Sequence, residues 1–180
     1  MKVVAIVGMT GAGKSEVARI FEEHGLERVR FGDITDEELK NRELEPNEGN
    51  ERGIREELRK RYGMAAYAEL SLPRIDGLLK LSDVVVDGLY SWEEYMLLKE
   101  RYGRSLITVA VWASPAARHA RLGHRAERPL TLEEATSRDK SEIENINKGG
   151  PIAMADFTIA NEASLGELKK ETERVLSALK

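Results

Sequence analysis

The sequence predicts an α/β fold in which helices cover both faces of a five-stranded parallel sheet, and three observations carry that expectation. Short apolar runs rich in β-branched residues alternate with longer stretches patterned at helical spacing. Several of these runs are apolar at every position, the mark of strands buried on both faces. A glycine-rich turn follows the first run directly and opens onto a helix. Right-handed crossovers in such a sheet place ligands at the carboxyl ends of the strands.

The elements follow in order. Val3-Val4-Ala5-Ile6-Val7 is the first strand, and the next helix carries Val17, Ala18, Ile20 and Phe21 at helical spacing between Lys14 and His24, with Gly25 as its stop. Residues 28–32 form a short second strand that delivers Asp33 at its carboxyl end. Residues 36–71 are long, charged and helical without a strand, interrupted by a turn at 45–50. Val84-Val85-Val86 is the third strand and ends at Asp87-Gly88; Trp92, Tyr95 and Met96 then form a core-facing helix stripe. Leu106 to Trp112 is the fourth strand. Ser114 caps the next helix with Pro115 at its first position. Residues 123–150 are polar, basic at the start and glycine-bearing at Gly149-Gly150, with a capping box from Thr131 to Glu134. Phe157-Thr158-Ile159-Ala160 is the last strand. Ser164 to Glu167 fits a second capping box, and Leu165, Leu168, Val175, Leu176 and Leu179 give the final helix one apolar side.

Composition narrows the function. A chain of 180 residues suits one domain. A net charge of −4 and a pI near 5.6 argue against a nucleic-acid partner. The absence of cysteine excludes disulfide frameworks, cysteine zinc sites and thiol nucleophiles. The opening apolar run is too short for a signal peptide and no later run approaches a membrane span, so a soluble, cytoplasmic protein without a membrane partner is expected. No oligomeric state follows from the sequence.

Residues 8–15 carry the chemistry. Gly8-Met9-Thr10-Gly11-Ala12-Gly13-Lys14-Ser15 has the form G-x-x-x-x-G-K-S between a strand and a helix. In that pattern the glycines turn the backbone so that successive N–H groups face phosphate oxygens, and the helix adds its positive end. The lysine reaches the β- and γ-phosphates, and the serine hydroxyl ligates Mg²⁺. A nucleoside triphosphate with Mg²⁺ is the expected ligand, with Gly8, Thr10, Gly11, Ala12, Gly13, Lys14 and Ser15 at the nucleotide, and the motif alone leaves ATP and GTP both open. Asp87 closes a strand where an acid holds a magnesium-bound water, and Gly88 beside it permits close backbone approach; a simple loop cap is the other reading of Asp87. Asp33 is equally consistent with accepting a proton from an acceptor hydroxyl and with capping a helix.

Two arginine rows stand out. Arg52, Arg55 and Arg59 share one helix face, which suits gripping an acceptor or, equally, pairing with Glu51, Glu56 and Glu57 in solvent. Arg118, Arg121 and Arg125, followed by Arg128 and Arg138, suit a hinged flap that stabilises charge on a transferred phosphoryl group. His119 and His124 lack a third ligand type and read as structural or solvated. Asn161 follows the last strand, a position consistent with meeting the nucleotide base or with a helix-entry turn.

Gly8 to Ser15, Val17-Ala18-Arg19-Ile20-Phe21 through to Gly32-Asp33, Val86-Asp87-Gly88, and the run from Ala155-Asp156 to Ser164-Leu165 together resemble the nucleoside-monophosphate-kinase group of phosphate-loop proteins. Within that group the chain is similar to the dephospho-coenzyme A kinases and to an archaeal-type family of adenylate-kinase-related proteins. The C-terminal run, similar to A-D-x-x-I-x-N-x-x-S-L, discriminates more sharply than the widely shared phosphate loop.

The resemblance implies a three-layer α/β/α P-loop NTPase fold with helical acceptor-binding and lid segments. It divides the chain into a core (1–33, 72–120 and 151–180), an acceptor-binding lobe at about 34–71 and a lid at about 121–150. It also implies ATP-dependent transfer of the γ-phosphoryl group to a small-molecule acceptor. Lys14, Asp33, Arg121 and Arg125 would be the catalytic residues, Arg121 and Asn161 would join the nucleotide site, and Ser15 and Asp87 would hold the metal. Asp33, Arg55, Arg59, Asp87 and Gly88 would form the acceptor side. Two departures stand out: Leu89-Tyr90-Ser91 and Thr35-Asp36-Glu37 occupy places where relatives usually carry an arginine, which argues against a phosphorylated acceptor of the usual kind. A nucleotide-binding regulatory or assembly protein with slow ATP hydrolysis is the alternative.

Overall fold

A computed structural model describes residues 1–126 and 129–179. Five parallel strands, β1 (Val3–Val7), β2 (Glu27–Arg30), β3 (Val84–Asp87), β4 (Leu106–Trp112) and β5 (Phe157–Ala160), form one sheet in the order β2-β3-β1-β4-β5. The α-helices among the described residues are α1 (Lys14–Glu23), α2 (Gly32–Asn41), α3 (Glu48–Tyr62), α4 (Ala66–Leu78), α5 (Trp92–Tyr102), α6 (Pro115–Gly123), α7 (Leu132–Glu144), α8 (Gly149–Ala153) and α9 (Leu165–Ala178), and a 3-10 turn spans Gly103–Ser105.

The unbroken apolar run of β1 serves two cores at once, because alternate side chains of a strand leave on opposite faces. Val3, Ala5 and Val7 join Val84, Val86, Leu106 and the helices α2 to α5 on one side. Val4 and Ile6 join Val85, Val109, Val111 and Ile159 on the other, under α1 and α9. The register sets Ile6 against Asp87 and Val7 against Ala110, so β1 and β3 finish within one residue of each other while β4 runs on to Trp112. The chain leaves β1 toward β2 and leaves its neighbour β4 toward β5, in opposite directions across the sheet, and such folds bind ligands at the carboxyl ends beside that divergence.

Several boundaries differ from the sequence reading. β2 ends at Arg30, and Gly32 and Asp33 already lie in the first turn of α2. The Phe31 N–H still donates to the Asp87 carbonyl at 3.0 Å, but the Ile34 N–H turns back to the Phe31 carbonyl, so the chain coils at once. The turn expected at 45–50 is shorter, because Asn47 accepts from the Asn50 N–H and starts α3 at Glu48. Met96 is exposed while Tyr95 is buried, so that stripe is narrower than expected. Leu165 is exposed as the first residue of α9, whose buried side begins one turn later with Leu168, Val175 and Leu176. Ser164 accepts from the Glu167 N–H, whereas Ser91 and Thr131 both head complete capping boxes. No helix among the described residues is long and apolar enough to cross a membrane.

Candidate phosphate-loop site

The phosphate loop leaves β1 and wraps onto the start of α1. Gly13 caps that helix at φ 101°, and a Cβ there would meet the Asn161 amide nitrogen at 2.4 Å. Gly8, at φ 153°, lies so close to β4 that a Cβ would meet the Val111 carbonyl oxygen at 2.3 Å. Neither position accepts a side chain without the loop moving. The Glu16 and Val17 N–H groups turn back to the Gly13 carbonyl, which leaves the Lys14 and Ser15 amides at the open positive end of α1. That arrangement fits a phosphate anion, with Ser15 the second residue of the helix.

Asn161 and Arg118 brace the loop from two parts of the chain, and Arg121 holds Asn161 in turn. The Asn161 amide donates to the Ala12 carbonyl at 2.8 Å. Arg118, almost fully buried on α6, donates to the Thr10 carbonyl at 3.0 Å, to the Ala113 carbonyl at 3.1 Å and to both oxygens of Asp139 at 2.7 Å. Gly11 passes directly beneath Arg118 and Leu122. Arg121, one turn further along α6, donates to the Asn161 carbonyl at 2.7 Å, while its Nη1 is buried without a hydrogen-bond partner among the described residues.

Charged groups converge on the mouth of the loop. Lys14 Nζ donates to the Met9 carbonyl at 3.1 Å. Burial and the neighbouring Lys148 ammonium draw its pKa down, against the attraction of Glu142 and Asp87. Asp87 is buried at the end of β3, and Arg28 on the next strand holds it at 2.5 Å. The Asp87 carboxylate, near enough for its charge to act on Lys14, is a hard oxygen donor of the kind Mg²⁺ takes.

Glu142 and Lys148 escaped the sequence reading. Glu142, on α7, accepts from the Thr10 N–H at 3.1 Å and from the Thr10 hydroxyl. Lys148, the residue before α8, is 1% exposed and sits 2.9 Å from Glu142. Burial opposes the charge on Glu142, yet Lys148 and Lys14 hold its carboxyl below the usual range. The only hint in the sequence was Gly149-Gly150 beside a lysine; Gly150 is pressed against the Trp92 ring, where a Cβ would lie 2.5 Å from the indole.

The acceptor-side candidates lie farther out. Asp33 pairs with Arg30 at 3.0 Å and with Arg74 at 3.5 Å. Arg55 pairs with Glu48 at 2.6 Å and Glu51 at 3.3 Å, and Arg52 pairs with Glu56 in solvent. Arg59 lies over the Tyr67 ring at 5.4 Å. Gly88 turns the chain toward Tyr90, whose ring lies beneath Lys148 at 5.3 Å. Glu94 is fully buried in the capping box of α5: one oxygen accepts from the Tyr90 and Ser91 N–H groups, and burial pushes the carboxyl up to about 7. Arg125 is exposed beyond α6; desolvation and then Arg138 lower its pKa. Arg138 reaches from α7 to Glu48 on α3 at 3.4 Å, joining the two helical segments above the loop. His119 Nε2 donates to Asp139 at 2.9 Å, and no acidic or histidine cluster suited to a metal occurs among the described residues. Arg128 lies outside the described residues.

Known proteins share this frame. A family model described as an AAA domain matches residues 4–147. The UPF0200 protein of Hyperthermus butylicus is 36% identical over 179 residues, spanning 98% of this chain and 94% of its own. Its counterpart in Thermococcus kodakarensis is 35% identical over 181 residues, spanning 98% and 97%. Among solved structures, TT1252 from Thermus thermophilus superposes with a TM-score of 0.65 at 18% identity, over 99% of this chain and 98% of that one. A gluconokinase from Sinorhizobium meliloti 1021 gives 0.63 at 17% identity, over 99% and 93%. A shikimate kinase from Bacteroides thetaiotaomicron gives 0.64 at 13% identity, over 99% and 98%. These structural likenesses establish a shared kinase-like α/β fold. On the sequence matches, the chain belongs to the UPF0200 family, built on a phosphate-loop AAA domain.

Proposed function

We propose that the protein is an ATP- and Mg²⁺-dependent phosphotransferase that moves the γ-phosphoryl group to a small-molecule acceptor, with dephospho-coenzyme A and nucleotides as the first acceptors to test. The carrying observation is the strained, braced phosphate loop, with open amides at the start of α1 and a lysine on which the charge of the buried strand-end aspartate acts. Two structural neighbours being named kinases supports the same reading. ATP supplies the phosphoryl group and Mg²⁺ neutralises its charge when both are bound.

On this reading Lys14 and the loop amides hold the phosphates, Ser15 and Asp87 hold the metal, and Arg121 turns its unpartnered nitrogen toward the nucleotide beside Asn161. Arg125 joins when residues 121–150 act as a lid. Residues 34–71 take the acceptor, with Asp33, Arg55, Arg59 and Gly88 around it. Asp33 accepts the proton of the acceptor hydroxyl as its oxygen bonds to the γ-phosphorus and the bond to the β-phosphate oxygen breaks.

One observation favours the second reading, a nucleotide-dependent regulator. Arg30 and Arg55 on the acceptor side are both engaged with the chain's own carboxylates. The test is ADP release against dephospho-coenzyme A, nucleoside monophosphates, nucleosides and sugar acids, with Lys14→Ala as control. Acceptor-dependent release lost in Lys14→Ala supports a kinase. Slow release that no acceptor accelerates supports the regulator.

A further inference from the structure

Glu142 is placed as a ligand would be. Both its oxygens are engaged by groups of the phosphate loop and its surroundings: the Thr10 N–H and hydroxyl, and the Lys148 ammonium at 2.9 Å. Arg138 Nε lies 3.8 Å away, and Lys14 is near enough for its charge to act on Glu142. A backbone amide, a hydroxyl and three cations around one carboxylate make a built anion site. It lies at the end of the loop that the lysine of this motif serves, where the β- and γ-phosphates belong.

Lys148 is held in that site by its backbone as well as its charge. Its N–H donates to the Glu142 carbonyl at 3.1 Å, and the Trp92 N–H donates to the Ile146 carbonyl at 3.4 Å. The corner between α7 and α8 is thereby tied to the start of α5, with Gly150 against the Trp92 ring. An ammonium 1% exposed on such a corner is costly unless an anion is always at hand.

We propose that Lys148 is a second lysine for the γ-phosphate, and that Glu142 is the internal anion that keeps its place until a nucleoside triphosphate displaces it. The proposal rests on the phosphate-loop reading above and names a residue which that reading does not use. It also supplies a cation on the Tyr90 side, where the segment Leu89-Tyr90-Ser91 has no arginine. A diphosphate lacks the displacing group, so Lys148 favours the triphosphate over the diphosphate and Glu142, which must be displaced, tempers that preference.

The test is calorimetric titration of the wild-type chain, Glu142→Gln, Lys148→Met and Lys148→Arg with Mg²⁺ complexes of ADP and a non-hydrolysable ATP analogue. Glu142→Gln is expected to tighten the triphosphate by about tenfold and the diphosphate by less than about twofold. Lys148→Met is expected to weaken the triphosphate by about tenfold with the diphosphate almost unchanged, and Lys148→Arg to recover part of the loss. Should a variant fail to fold, the wild-type complex with the triphosphate analogue decides. Lys148 Nζ within about 3 Å of a γ-phosphate oxygen and Glu142 released from Thr10 support the proposal. Glu142 still on Thr10 beside a bound γ-phosphate overturns it, as does an unchanged triphosphate preference in folded variants. Wild-type chain that binds neither nucleotide defeats the phosphate-loop reading as well, which separates the two failures.

Discussion

Replacing Arg118 by methionine removes the brace between α6, the phosphate loop and α7. The guanidinium donates four hydrogen bonds, two to Asp139 at 2.7 Å and two to the Ala113 and Thr10 carbonyls. Methionine fills much of the volume but leaves two carbonyls and a carboxylate without their donor. Arg118 is 4% exposed at its side chain and Asp139 15%, so water restores little. Breaking a buried pair by deleting one partner costs about 3–5 kcal/mol, which in a domain of this size lowers Tm by about 6–20 °C. His119 Nε2, 2.9 Å from Asp139, remains as a donor and recovers part of the loss. Urea denaturation of Arg118→Met, Asp139→Asn and the double variant measures the coupling. The double variant is expected to be more stable than Arg118→Met, because the stranded charge has gone, with a coupling of at least about 1 kcal/mol. A loss below about 1 kcal/mol in Arg118→Met, or strict additivity, refutes the assignment of Arg118 as the brace.

Gly13→Ala forces a Cβ to within 2.4 Å of the Asn161 amide at a φ of 101°; a lower Tm together with weaker nucleotide binding is expected, and Asn161→Gly in the same chain recovers part of the stability. Glu94 gives a pH signature. Its carboxyl keeps its proton to about 7 in the folded chain against 4.5 in the unfolded one, so it lowers stability progressively as pH rises from 4.5 to about 7 and has no effect below that window. The loss amounts to about 3 kcal/mol, and Glu94→Gln, compared with the wild type by urea midpoints at acid and alkaline pH, is expected to lack it. Arg121→Ala is expected to lower turnover more than ATP affinity in steady-state kinetics, and equal losses would assign Arg121 to ground-state binding.

Much of the fold was legible because local rules and tertiary packing agree. β1, β4 and β5 fall where the apolar runs placed them, and Ser114 and Thr131 start their helices as the capping patterns required. The end of β2 was misplaced because Arg28 to Phe31 alternates like a longer strand, while the single ladder bond from Phe31 to Asp87 is followed immediately by helix. Leu165 fits the apolar stripe of α9 by spacing, yet as its first residue it stands clear of the core. In the site, the loop was legible as a contiguous motif. Glu142 was not: it meets Thr10 across 132 residues, and a single glutamate on a charged helix has the pattern of a solvated face. Arg118 was read with Arg121 and Arg125 as one row, but helical spacing does not distinguish a buried brace from an exposed lid cation.

Calorimetric titration of Mg²⁺–ATP into the wild-type chain and into Lys14→Ala tests the anion cradle most directly. Saturable one-to-one binding to the wild type, weakened at least about tenfold in a Lys14→Ala chain of unchanged Tm, is the expected result. No heat of binding to the wild type, or equal affinity in both chains, would contradict it.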